Sequence, residues 1–227
     1  MWWRRVLVAA MLLTAALITP ILALRWIAPP ASAYMAAAWL QELHDGRSTL
    51  KLHYEWVPRT EISPTIALAV IAAEDQRFKD HSGFDLREIE AAFAAREAGL
   101  RGASTLTQQV ARNLFLWSSR SWLRKALEAW ITLWIEVLWE KRRILEMYLN
   151  IAQFGRGIYG VGAAAEVYFK ARPRMLTSVQ AARLAAVLPS PLRYEVLRET
   201  SYTAHRRRWI ETQMRQLGPA YLSQLAW

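Results

Sequence analysis

The chain reads as mainly α, with one N-terminal transmembrane helix followed by a helical domain. Three observations give that class. Val6–Leu24 is a run of nineteen residues without a charged side chain. At 1.5 Å per residue a helix of that length covers about 28 Å, close to the thickness of a bilayer core. From Ser63 onward, N-cap residues open one apolar-periodic segment after another, and the stretch reads as helix and loop. None of the 227 residues is Cys, so neither disulfides nor thiolate metal sites hold the fold. The expected organisation is a cytoplasmic tip and anchor over 1–28, a juxtamembrane linker over 29–44 and one domain over 45–227.

Each element has a local reason. Trp2 and Trp3 flank one end of the apolar run and Trp26 the other, as aromatic residues do at membrane interfaces. Arg4 and Arg5 precede the run, which keeps the N-terminus cytoplasmic and sends the remainder across. A cleaved signal peptide is the competing reading, with Ala31-Ser32-Ala33 as cleavage site. The apolar run is long for a signal core and that site lies well beyond it, so an uncleaved anchor is expected. Pro29-Pro30 opens a linker, Met35–Leu43 reads as a helix, Asp45-Gly46 as a turn and Lys51–Val57 as an extended segment or short strand. Ser63 and Pro64 open a helix in which Ile66, Ala69, Val70 and Ala73 mark one buried face. Asp85 and Glu88 form a capping box for a helix ending near Gly99. Ser104 or Thr105 opens the next, through Phe115. Ser121 caps a long helix from Trp122 to Tyr148. Thr177 caps another, stopped by Pro189, and a last one runs near Tyr202–Gln216 and ends at Gly218.

Charge narrows the function. Lys and Arg total 29 against 19 Asp and Glu, a formal net charge of +10. That favours an anionic partner: nucleic acid, a phosphorylated substrate or an acidic membrane surface. Twelve Trp beside many Arg lean towards the membrane.

Three clusters carry candidate chemistry. Glu74 and Asp75 end an apolar helix, with Phe78, His81 and Gly83 following. A carboxylate at the edge of a buried face is partly desolvated, which raises its pKa and suits it to take a proton near neutral pH. Asp75 points about 100° around the helix from Glu74, so the two cannot share one task. Ser104, Thr105, Gln108, Gln109, Arg112 and Asn113 crowd polar donors around a helix start. Thr105, Gln108, Gln109 and Arg112 recur at helical spacing, a face suited to sugar and phosphate oxygens. Arg124 and Lys125 lie one turn before Glu128, an acid flanked by cations able to hold a phosphate, and Lys141 adds positive charge further on. The same trio also fits an ordinary surface ion pair.

Other patterns carry less. Ser48-Thr-Leu-Lys51 has the Ser-x-x-Lys form of an acyl-enzyme, but no Lys-Thr-Gly follows. Gly155–Gly160 fits G-x-G-x-x-G, yet a helix precedes it. His44, His53, His81 and His205 show no ligand spacing, so no metal site is proposed. Arg206-Arg207-Arg208 reads as a solvated or membrane-facing helix surface.

Taken in order, these segments resemble the five motifs of the peptidoglycan glycosyltransferases of family 51. Glu74-Asp75, Phe78, His81 and Gly83 match the first; Gly102, Ser104-Thr105, Gln108-Gln109 and Asn113 the second; Arg124-Lys125 and Glu128 the third. Lys141, Ile144-Leu145-Glu146 and Tyr148-Leu149-Asn150 match the fourth, and Gly157 to Tyr159-Gly160 with Tyr168-Phe169 the fifth. The likeness covers about residues 55–195 and, with an anchor and no transpeptidase domain, resembles the monofunctional branch. Arg112 stands where the family usually has Lys, and Lys170-Ala171 follows Tyr-Phe where Gly or a polar residue is usual.

The resemblance implies a lysozyme-like α-helical glycosyltransferase domain with a membrane-dipping jaw, for which Phe115-Leu116-Trp117 and Trp122-Leu123 are candidates. It implies polymerisation of lipid II into β-1,4 glycan, with inversion and release of undecaprenyl pyrophosphate, in the cell inner membrane with the domain periplasmic. Glu74 and Glu128 become the catalytic pair: Glu74 the base, and Glu128 with Arg112, Arg124 and Lys125 on the pyrophosphate side. Asp75, Phe78, His81, Gly83, Ser104, Thr105, Gln108, Gln109, Asn113, Lys141, Tyr148, Asn150 and Tyr159 become substrate-binding positions. The implied partners are lipid II, the growing glycan chain, the membrane and proteins of cell-wall synthesis or division, with no nucleic acid. No cofactor is required, although a divalent cation assists some members. Two other classes stay open: a lytic glycan-cleaving enzyme and a non-catalytic scaffold. The paired Gln and the cations around Glu128 speak against the first, and the presence of both glutamates against the second.

Overall fold

A computed structural model of the protein describes residues 2–46, 51–94, 104–119 and 121–227. Helices dominate it. The first is α1 (Trp2–Ala23), with α2 (Ala33–His44) after the linker. Strand β1 (His53–Tyr54) precedes α3 (Pro64–Glu74) and α4 (Leu86–Ala94). Then come α5 (Leu106–Phe115), α6 (Trp122–Leu138) and α7 (Lys141–Ile151). A hairpin of β2 (Gln153–Gly155) and β3 (Ile158–Tyr159) leads into α8 (Gly160–Phe169). The chain closes with α9 (Ser178–Val187), α10 (Ser201–Leu217) and α11 (Ala220–Ser223). The expected end of α4 near Gly99, Gly102 and most of Ser48–Lys51 lie outside the described residues.

The centre of the domain is α3. Ser63 caps it and Pro64 takes its first position, as the sequence requires. Ile66 through Ala72 are all buried, so the helix is enclosed on every side rather than along one face. A helix apolar all round is a core helix. It packs against α9, α10 and α11, while α5 lies against α6 and α7. Glu74 is therefore carried out of the hydrophobic core at the helix end.

Two expectations need correction. The long helix from Trp122 to Tyr148 is two helices. Trp139 leaves helical geometry at φ −114°, ψ 146°, is buried, and its indole Nε1–H donates to the Ile21 carbonyl at 2.7 Å. Neither Gly nor Pro stands at the break; the tie to the end of α1 accompanies it. The stretch after Ser63 is also not helix and loop throughout. β1 runs parallel to β3 (His53 beside Ile158) and β2 antiparallel to it, giving the order β1-β3-β2. The glycine-rich G-x-G-x-x-G segment is the hairpin of that sheet. Gly160 sits at φ +80°, where a Cβ would come within 2.4 Å of the Asn150 carbonyl oxygen.

The N-terminal segment docks on the domain. Arg143 donates to the carbonyls of Leu24 (2.8 Å) and Ile27 (2.8 Å), and the Tyr54 hydroxyl donates to the Pro29 carbonyl at 2.8 Å. Among the described residues no helix is long and apolar enough to cross a membrane; the side chains of Ala9, Ala10, Leu12, Leu13 and Leu17 in α1 lie outside them.

Candidate active site

The end of α3 supplies the first carboxylate. Gln109 Nε2 on α5 donates to Glu74 Oε2 at 2.9 Å, and Arg206 Nη2 on α10 donates to Oε1 at 3.1 Å and to the Ala73 carbonyl at 3.2 Å. The Gln109 amide is itself fixed by the Tyr148 hydroxyl of α7, which donates to its Oε1 at 3.1 Å. Three helices thus meet on one carboxyl group that is only 13% exposed, and a fourth, α7, fixes the amide that holds it. Burial pushes the Glu74 pKa up from 4.5, against the opposing pull of Gln109, Arg206 and Arg112. Burial, and then the Glu74 charge, hold the Tyr148 phenol well above its ordinary value, so it stays a donor. Each Glu74 oxygen accepts one bond and keeps a lone pair, so either can accept a further hydrogen bond from a hydroxyl.

Asp75 serves the loop. Its carboxylate accepts from His81 Nε2 at 2.9 and 3.1 Å and from the Leu106 amide, in the first turn of α5, at 2.9 Å. An anion at a helix N-terminus is favourable. Gly83, at φ +87°, lets this loop press on α6: a Cβ there would lie 2.7 Å from Thr132 Cγ2. Its carbonyl accepts from the Thr105 hydroxyl at 2.7 Å. Buried Phe78 lies under the Lys141 ammonium, 4.6 Å from the ring centre, and Lys141 also binds Glu136 at 2.8 Å.

The second motif divides between two tasks. Thr105 and Gln108 are buried and form a reciprocal capping box on α5, so their polar groups face the helix start. Gln109 and Arg112 are the half-buried members of the face, and Arg112 Nε donates to Asn113 Oδ1 at 3.3 Å. Ser104 is half-buried ahead of the cap. The shared polar face expected over Thr105, Gln108, Gln109 and Arg112 is therefore corrected to its outer half: the cap turns the other two inward.

Glu128 is the second carboxylate, 1% exposed on α6. Arg124 Nη1 reaches its Oε2 at 2.6 Å and Lys125 Nζ binds its Oε1. Both partners come from the preceding turn of the same helix. Lys125 is half exposed while Glu128 is enclosed, so it is the cation that faces outward. Lys141, with Phe78 and Glu136, belongs to a separate cluster.

Three further positions are walls. Asn150 is fully buried; its carboxamide accepts from the Val57 amide (2.8 Å) and donates to the carbonyls of Val57 and Glu146 (2.9 Å each). Tyr159 is buried in β3, which pushes its phenol up to about 12. Tyr148 is buried too and reaches Glu74 only through Gln109. Lys170 is the left-handed C-cap of α8 (φ 51°, ψ 38°) and 78% exposed. Its departure from the family pattern concerns a helix end, where Gly is the usual residue.

Sequence reasoning missed Arg206. The Arg206–Arg208 run is not a solvated surface throughout: Arg206 is 15% exposed and bound to Glu74, while Arg207 binds Glu199 and Glu211. No local signal marked it, because its partner lies 132 positions away.

Comparison with known proteins fits this geometry. The transglycosylase family model matches residues 42–215. A biosynthetic peptidoglycan transglycosylase of Xanthomonas campestris pv. campestris (strain B100) is 51% identical over 222 residues, covering 96% of this chain and 90% of that protein. Its namesake in Pseudomonas entomophila (strain L48) is 49% identical over 225 residues, covering 98% and 95%. The namesake in Xylella fastidiosa (strain 9a5c) is 47% identical over 224 residues, covering 97% and 92%. The chain belongs to the transglycosylase family. It is a glycosyltransferase enzyme of peptidoglycan synthesis.

Proposed function

We propose that the enzyme polymerises lipid II into β-1,4 glycan strands by inverting transfer, releasing undecaprenyl pyrophosphate. The observation that carries this reading is Glu74: a largely enclosed carboxylate with a raised pKa, held by donors from two other helices. Glu74 removes the proton from the 4-hydroxyl of the acceptor GlcNAc as that oxygen attacks C1 of the donor MurNAc. Asp75 and His81 hold the loop beside it. Arg206 and Gln109 keep the carboxylate in one orientation, as a base must be within hydrogen-bond reach of its proton. Lys125 and Arg124, set by Glu128, offset charge on the departing pyrophosphate. Glu128 acts through these cations, since its own oxygens are occupied and enclosed.

The membrane belongs to the same reading. Val6–Leu24 carries no charge and lies within α1 but for its last residue, which supports a single crossing that leaves the domain outside the cytoplasm, in the envelope. Trp117, Trp122 and Leu123 are exposed, as are Leu133 and Val137 along α6, the helix on which α1 packs. Leu116 is buried and leaves that set. Exposed apolar residues on this scale mark a membrane or partner surface. The decisive assay incubates the protein with labelled lipid II, with and without moenomycin, and resolves products by gel. Moenomycin-sensitive polymer is expected; shortened glycan from preformed strands would favour a lytic enzyme instead.

A further inference from the structure

A cavity of about 460 Å³ opens where the end of α1 meets the start of α7, away from Glu74 in the chain and in its lining. Four arginines line it, Arg25, Arg59, Arg142 and Arg143, against two glutamates, Glu140 and Glu146. The arginines are not equivalent. Arg143 is bound to Glu146 at 2.7 Å, to the backbone of α1's end, and over the Trp56 ring at 4.9 Å. It is structural. Arg142 binds Glu140 at 2.5 Å, a pair that is 40% and 52% exposed, and Arg25 meets the same carboxylate only at 3.9 Å. Glu146 accepts the Arg59 backbone amide, while the Arg59 guanidinium lies over the Trp227 ring at 5.9 Å. Among the described residues the Arg59 side chain has no carboxylate partner. Two positive charges in excess therefore face one concave site. Beside it Trp26 and Ile27 are 69% and 61% exposed. Trp and Arg together at the end of an apolar helix is the pattern of a headgroup zone.

We propose that this pocket holds the phosphate of an anionic phospholipid headgroup where α1 leaves the bilayer. The inference rests on α1 being a membrane anchor, as proposed above. Arginine suits the task because its planar fork binds phosphate oxygens in pairs. The ligand's acyl chains would lie along Trp26 and Ile27, and its phosphate between Arg59 and Arg142. Bound there, one lipid would fix the depth at which the domain rides, because Arg143 already locks the same corner to Leu24 and Ile27. The third motif, Arg124, Lys125 and Glu128, has no part in it.

The test uses the full chain reconstituted in vesicles of phosphatidylcholine alone, or of phosphatidylcholine and phosphatidylglycerol in equal parts. Lipid retained with the protein is then quantified by mass spectrometry. Enrichment of phosphatidylglycerol is expected for the wild type. It should fall about fivefold for each arginine removed, in Arg59→Gln and again in Arg59→Gln/Arg142→Gln. Lys170→Gln, exposed and outside the pocket, should leave it unchanged. Enrichment should also weaken as salt rises. Equal retention of both lipids by a chain that enters both vesicles would overturn the pocket and leave the anchor standing. Failure to enter either vesicle would overturn the anchor and the pocket together. Inorganic phosphate displacing the bound lipid at equal concentration would make it a site for the free anion, against the proposal.

Discussion

Glu74 and Glu128 are both enclosed carboxylates, yet they are built in opposite ways. Glu128 is held by Arg124 and Lys125, one turn back on its own helix. Glu74 is held by Gln109 and Arg206, from helices that are far away in sequence. Two cations beside Glu128 balance its charge and leave an outward-facing ammonium. One neutral amide and one arginine beside Glu74 offset only part of its desolvation, so its pKa rises. The contrast separates a carboxylate that organises cations from one kept reactive for a proton.

The largest effect should come from Glu74→Gln, which keeps the shape and removes the basic oxygen. General-base loss alone costs about 10²–10⁴ in rate, read as polymer formed from labelled substrate. The same change should stabilise the fold at neutral pH. A carboxyl whose folded pKa is raised contributes stability below its unfolded value and loses it as pH rises through the folded one. Thermal unfolding of the two proteins should therefore diverge above the usual carboxylate range and coincide below it. Equal polymerisation by the variant would end the distinction between the two glutamates.

Lys125→Ala tests the other half. Removing a preorganised charge-stabilising donor costs about 10²–10³ in turnover, and Arg124 still compensates Glu128, so unfolding should change little. Full activity would return the trio to a plain helix ion pair.

Arg206→Gln should cost less at its best pH than loss of the base, and its signature is a shift. Glu74 must be ionised to act, and Gln109, Tyr148 and Arg112 remain around it while the Arg206 charge is gone. Its pKa should rise further, so the acid limb of kcat/KM should move to higher pH. Arg206→Lys should restore part of the limb's position. A uniform loss at every pH would make Arg206 a packing residue only.

The smallest effect checks a purely local feature. Lys170 holds a left-handed backbone at the end of α8, which costs an ordinary residue about 1–2 kcal/mol. Lys170→Gly should raise stability by about 1 kcal/mol in chemical denaturation and leave turnover alone.

Much of this was legible in the chain itself. Ser63-Pro64, Ser121 and Thr177 all cap the helices they mark, and of Ser104 and Thr105 it is Thr105 that caps α5. Caps satisfy backbone groups within three residues, so they are written locally. Arg124, Lys125 and Glu128 share a face for the same reason. The break at Trp139 was not legible, because the indole reaches the Ile21 carbonyl 118 positions away. Nor were β2 and β3, two or three residues each: β3 pairs with β2 on one side and, on the other, with β1 from far back in the chain.

The sequence by itself determined which residues are chemically able to act: an acid at the end of an apolar helix, cations one turn from another acid, and an uncharged run at the start. Only the tertiary structure decided what surrounds them. It turned Thr105, Gln108 and Asn150 inward to close helix starts and walls, and it brought Arg206 of α10 to Glu74. Periodicity and capping act over one or two helical turns. Desolvation and charge neutralisation depend on everything within a few ångströms, whatever its place in the chain.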